Sequence, residues 1–155
     1  MPSPEKKLID LYAYRMDGTT PRFLLLQRSG QKIYAGQWRM IGGKVKTGEM
    51  SWEAARRELL EETALHPVTF WTVPTLNHFY EASTDSVHLI PPFAAEIDPE
   101  QKIILNDEHT GFRWASLEEA ESAVFWPEQV RILQLINRLL QTNKILEEWK
   151  LPAGS

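Results

Sequence analysis

The chain has 155 residues, 43% of them hydrophobic and 25% charged, which are proportions of one globular domain with a sizeable core and not of a disordered chain. It has no cysteine, which excludes disulfides, thiolate metal sites and cysteine nucleophiles, and no apolar run reaches the ~18 residues a membrane-spanning helix needs. Seventeen Lys and Arg against twenty-one Asp and Glu leave a net charge of −4, which argues against gripping extended nucleic acid; a phosphate substrate would need a metal or local cations to offset that field.

The opening residues, Met1 to Lys7, carry no apolar block with a small-residue cleavage site, so a cytoplasmic location is expected. The domain is expected to occupy 1–155, with loose tails at 1–6 and 151–155, where Pro, Gly and Ser gather. Leu8 to Tyr14 and Arg22 to Arg28 read as strands about a turn at Met16 to Pro21. A glycine-bearing loop follows, with Gly30, Gly36, Gly42 and Gly43, broken by the short stretch Gln37 to Met40. Ser51 to Thr63 is a helix with Ser51 as N-cap and Trp52, Ala55 and Leu59 as its apolar stripe. Strands are then expected at Val68–Val73, Asn77–Tyr80, Ser86–Ile90, Phe93–Ile97, Ile103–Leu105 and Gly111–Trp114. Ser116 and Glu119 have capping-box spacing for a short helix. Pro127 suits the first turn of a last helix whose apolar face carries Val130, Leu133, Ile136 and Leu140. Strands interleaved with amphipathic helices make an α/β layered domain.

The chemistry concentrates in the first helix. At 100° per residue Glu58, Glu61 and Glu62 share one arc beside the apolar stripe. At ~5 Å and an effective dielectric near 20, each pair would repel by about 3 kcal/mol before solvent screening. Helical glutamates are usually a solvated face, but such a face commonly places a cation at i+4. Here those positions hold Glu62, Leu65 and His66, and the nearby cation is Arg57. A divalent cation with a taste for carboxylate oxygen, Mg²⁺ or Mn²⁺, is the other way to relieve the repulsion.

Residues 43–65 resemble the Nudix box, G-x5-E-x7-R-E-U-x-E-E-x-G-U, where U is aliphatic. Gly43, Glu49, Arg57, Glu58, Leu59, Glu61, Glu62 and Leu65 match in register, and Ala64 stands where the pattern has its last glycine. Trp38 and Gly42 also resemble family positions, whereas Ile41 replaces a common proline. The resemblance implies a Nudix-type α/β/α sandwich with a mixed sheet. It also implies hydrolysis of a phosphoanhydride, assisted by Mg²⁺ or Mn²⁺. Carried over residue by residue, Glu61 and Glu62 are metal ligands, and Glu58 is a ligand or the base that orients water. The Gly42 carbonyl is a further ligand. Arg57 belongs to the catalytic set, more as a brace to Glu49 than as a substrate contact.

Outside the box, Glu108 in Asp107-Glu108-His109 is the candidate for an additional catalytic and metal-ligating acid, with a solvated loop acid as the alternative. Arg28 is a candidate phosphate ligand, and Tyr80, with Phe79 and Trp71, a candidate stacking surface for a base. His78, His88 and His109 show no mutual metal spacing. Asp107 to Trp114 and Trp126-Pro127 resemble the downstream part of dihydroneopterin triphosphate and deoxynucleoside triphosphate pyrophosphohydrolases. The expected reaction is therefore cleavage of a nucleoside or pterin triphosphate to monophosphate and pyrophosphate. The alternatives are hydrolysis of dinucleoside polyphosphates or nucleotide sugars, and a non-catalytic nucleotide-binding module of the same fold. The partner is expected to be a small phosphoanhydride, with no membrane; the oligomeric state is left open, a homodimer included.

Overall fold

The computed structural model describes residues 1–30 and 36–154. The chain is α/β, with a central mixed sheet between helical layers. In chain order the first elements are β1 (Ser3–Glu5), β2 (Leu8–Asp17), β3 (Thr20–Arg28), β4 (Trp38–Arg39), β5 (Ile41–Lys44) and α1 (Ser51–Thr63). Then come β6 (Thr69–Thr72), β7 (Asn77–Glu81), β8 (Ser86–Ile90), β9 (Pro92–Glu96) and β10 (His109–Ala115). The chain closes with α2 (Leu117–Ala123), α3 (Pro127–Gln141), a single 3-10 turn at Glu147–Trp149 and β11 (Lys150–Leu151). The large sheet runs β10-β3-β2-β9-β6-β11, with β4 on β3 and β5 on β2; a smaller sheet runs β1-β8-β7.

Strand alternation assigns the two faces. Ile9, Leu11 and Ala13 of β2 and Leu24 and Leu26 of β3 pack with Ala54, Ala55 and Leu59 of α1. Their neighbours Tyr12, Tyr14, Phe23 and Leu25 face the other way, onto Ala120 of α2 and Ile132, Leu133 and Ile136 of α3. Covering both faces is what makes β2 and β3 near-continuous apolar runs. Parallel pairing of β2 with β9 beside antiparallel neighbours makes the sheet mixed.

Several expectations differ from what is observed. The first hairpin is tighter than the Met16–Pro21 turn, because β2 and β3 extend to pair Asp17 with Thr20. Met50, not Ser51, is the N-cap of α1; its amide donates to Glu53 Oε1 at 2.9 Å. Ser3–Glu5 is not a loose tail but pairs in parallel with Ser86–His88, and Lys150–Leu151 pairs with β6. Ile103–Leu105 forms no strand; Ile104 N donates to Thr63 O at 2.9 Å, so this segment straps the end of α1 instead of joining the sheet. The capping box at Ser116 and the Pro127 helix start are both present.

Candidate functional site

The site grows from the contact of β5 with α1. The segment Ile41–Lys44 lies antiparallel against β2, with Gly43 opposite Ile9 and Gly42 opposite Asp10. A Cβ on Gly43 would sit 2.6 Å from Glu58 Oε1, so only glycine lets this carboxylate lie on the strand. Arg57 holds the loop to the helix. Its guanidinium grips Glu49 with two bonds (2.8 and 3.0 Å) and donates to Glu58 Oε1 (2.7 Å), Glu61 Oε2 (3.1 Å) and the Lys44 carbonyl (2.9 Å). This bidentate pairing holds the Glu49 carboxyl down at about 2.

The three glutamates of α1 sit in different surroundings. Glu61 is half-exposed and turned to Arg57. Glu58 is largely covered and hydrogen-bonds Glu62. Glu62 is 2% exposed, and its Oε2 has no hydrogen-bond partner among the described residues. Burial, then the bond and charge of Glu58 and the charge of Glu108, push the Glu62 carboxyl well above the ordinary range, with Arg39 opposing. A divalent cation would supply what these carboxylates lack.

The loop before β10 completes the cluster. Asn106 N donates to Glu62 O (3.4 Å), Ile104 N to Thr63 O, and Ser29 N to Glu108 O (2.8 Å), so the loop is tied both to α1 and to the end of β3. Asp107 is left exposed, Glu108 is half-buried and His109 is buried. One ligand atom each from Glu62, Glu108 and His109 lie within 4.8 Å of one another. Burial, followed by the charges of Arg39 and Arg28, lowers the His109 imidazole to about 4, so it is neutral at physiological pH. Arg28, whose backbone pairs with His109, therefore stands beside this cluster with Arg39.

A cleft of about 630 Å³ opens on the other side of β5. Gly42, Gly43 and Arg39 line it, together with Phe79 and Tyr80 of β7 and Trp126 just before α3. Asp10 and Gln129 lie at its floor; Asn77 Nδ2 donates to Asp10 Oδ2 at 2.8 Å, and Gln129 bonds the same carboxyl. Burial raises the Asp10 carboxyl, against those two bonds. Tyr80 is exposed in the cleft and bonded through its hydroxyl to Asp85 (2.7 Å), and Phe79 stacks on His88. Trp71 is core, fully buried with its indole N–H on Tyr14, and offers no stacking surface.

Asp10, Arg39, Asn77, His109 and Gln129 were not among the sequence candidates. The pairing of β5 with β2 and the seating of α3 bring Asp10, Arg39, Asn77 and Gln129 together at the cleft, and the pairing of β10 with β3 brings His109 to the carboxylates. A buried acid inside the apolar run Leu8 to Ala13 was the one available signal.

Several known proteins are similar to this chain in sequence or in fold. A family profile described as "NUDIX domain" matches residues 9–136. The oxidized purine nucleoside triphosphate hydrolase of Mus musculus is 30% identical over 140 residues, covering 84% of this chain and 80% of that protein. An octanoyltransferase of Myxococcus xanthus is 27% identical over 124 residues; this chain spans only 32% of that relative's length. The fold is similar to the crystal structure of a C. elegans Ap4A hydrolase binary complex, with TM-score 0.73 and 24% identity, covering 88% of this chain and 98% of that one.

Proposed function

The chain belongs to the Nudix family of hydrolases, and from that membership we propose that it is a metal-dependent pyrophosphohydrolase cleaving a nucleoside or pterin triphosphate to monophosphate and pyrophosphate. The observation that carries this reading is the shared wall: one cleft of nucleoside size meets the carboxylate cluster at Gly42, Gly43 and Arg39. A base seated against Tyr80 and Trp126 would direct its phosphates toward Glu58, Glu62 and Glu108.

The donor set fits a hard divalent ion. Glu62 Oε2 is buried with no hydrogen-bond partner among the described residues, and the Gly43 cradle holds Glu58 against the strand. Glu58, Glu62 and Glu108, with the Gly42 carbonyl, are the groups that would hold Mg²⁺ or Mn²⁺; Glu61 joins them on exchanging its Arg57 partner. The chemistry such an ion supplies is activation of water and neutralisation of phosphate charge. Glu58, steadied by Arg57, orients water and takes its proton as oxygen adds to phosphorus and the bridging P–O bond breaks. Arg28 and Arg39 bind the phosphate oxygens.

The relative acting by name on oxidized purine nucleoside triphosphates supports the triphosphate reading, as does a cleft sized for one base. A rate panel of nucleoside triphosphates, dihydroneopterin triphosphate, dinucleoside polyphosphates and nucleotide sugars tests it, reading pyrophosphate against orthophosphate. Preference for a triphosphate with pyrophosphate as product is expected. Faster turnover of a dinucleoside polyphosphate would reject the assignment.

A further inference from the structure

His109 is the feature that the box leaves unexplained. It opens β10 and is 6% exposed as a residue, and its Nδ1 has no hydrogen-bond partner among the described residues. Buried imidazoles used for packing normally have their polar nitrogens satisfied. Glu62 Oε1 lies 3.6 Å from Nδ1, too far for a hydrogen bond. Two unpartnered buried atoms, His109 Nδ1 and Glu62 Oε2, thus belong to neighbouring side chains, and Glu108 completes a group whose donor atoms fit within 4.8 Å. Donors each about 2.0–2.3 Å from one ion are separated by at most roughly 4.6 Å, so small side-chain adjustments suffice for all three to share it. Pairing of His109 with Arg28 and the bond from Asn106 N to Glu62 O hold the two ligand-bearing segments together.

We propose that His109 is itself a metal ligand, through Nδ1, in a mixed nitrogen–oxygen site with Glu62 and Glu108. Such a site favours Mn²⁺ over Mg²⁺, because imidazole suits first-row transition ions while Mg²⁺ keeps to oxygen and to its own waters. The inference rests on the reading that this chain takes a divalent cation, and the test separates the two.

The experiment uses the full chain, stripped with chelator and loaded with Mn²⁺ alone. Electron spin echo envelope modulation is recorded on protein made with ordinary histidine and with ¹⁵N-histidine. A coordinated imidazole gives ¹⁴N modulation that the isotope replaces, without any mutation. Binding titrations then compare His109→Gln with the parent, after circular dichroism has shown that the variant folds. The affinity for Mn²⁺ is expected to fall about tenfold or more, with a change of less than about threefold for Mg²⁺. Bound Mn²⁺ without histidine-nitrogen coupling would overturn the His109 assignment and leave an all-oxygen metal site standing. Failure of the parent protein to bind Mn²⁺ at all would overturn the metal reading itself.

Discussion

Glu62 couples the chemistry of the site to the stability of the fold. Without an ion its carboxyl is held neutral by burial and by Glu58, so the folded protein retains a proton that the unfolded chain releases above about pH 4.5. A raised folded value contributes stability that is complete below the unfolded pKa and is lost as pH rises toward the folded one. His109 works in the opposite sense: its folded value of about 4 lies below the unfolded 6.5, so stability is lost as pH falls through that window. In chelator, Tm is therefore expected to fall as pH rises from 7 to 9, and Glu62→Gln should flatten that slope; thermal melts against pH read both. A parent protein with constant Tm above pH 7 would contradict the burial argument. Saturating Mn²⁺ should oppose the decline, since the cation takes the proton's place. The loop acids give a second test. Glu108→Gln should lower kcat by about 100-fold and Asp107→Asn by less than about twofold, since only Glu108 is in the carboxylate cluster. Equal effects in steady-state assays would return Glu108 to the solvated surface. The grouping of Glu58, Glu61 and Glu62 was legible from helical spacing. Their division into a covered pair and an outward Glu61 was not, because it depends on where Arg57 and Gly43 place them. His109 was illegible for a related reason: its partner lies 47 positions back and is met only through the strap on α1.

Among elements, α1 was the most legible in sequence, and it ends at the residue that departs from the Nudix pattern. Ala64 adopts φ +62°, with its amide donating to Leu60 O at 2.8 Å, so the helix stops there instead of running on to His66. The left-handed geometry that glycine would take freely is retained with a Cβ, at a cost of roughly 1 kcal/mol. Ala64→Gly should therefore raise Tm by about 2–4 °C and keep turnover within a few-fold, as the helical acids lie upstream. Melts and initial rates check this; a large gain in activity would mark the natural chain as an impaired hydrolase and favour the binding-module reading. Strands were less legible than helices. The Ile103–Leu105 run has strand composition, yet its Ile104 amide is used on Thr63 at the end of α1, a tertiary choice that overrides propensity. Conversely, Ser3–Glu5 lacks strand composition, and the open edge of β8 recruits it.

At the scale of the molecule, two faces of one sheet do different work. The α1 face carries the carboxylates, and the α3 face, where Asp10 meets Gln129, forms the floor of the cleft; β5 is the wall between them. The α/β layering was legible because alternating and amphipathic patterns report which faces are covered, and the α/β/α order followed from the resemblance to the Nudix box. The cleft was not, since Asp10, Asn77 and Gln129 come from three separate elements. If the cleft holds the base, Tyr80→Ala should raise KM several-fold with kcat and Tm nearly unchanged, since this side chain is 57% exposed and its hydroxyl donates to Asp85 in the same hairpin. A fall in kcat at constant KM would place the base elsewhere. The central claim, that this chain hydrolyses a triphosphate with a divalent cation at Glu58, Glu62 and Glu108, is tested most directly by ³¹P NMR of the reaction. No turnover of a nucleoside or pterin triphosphate is expected in chelator. Monophosphate and pyrophosphate should appear together when Mg²⁺ or Mn²⁺ is restored. Full turnover in the chelated sample, or orthophosphate and diphosphate as the products, would contradict it.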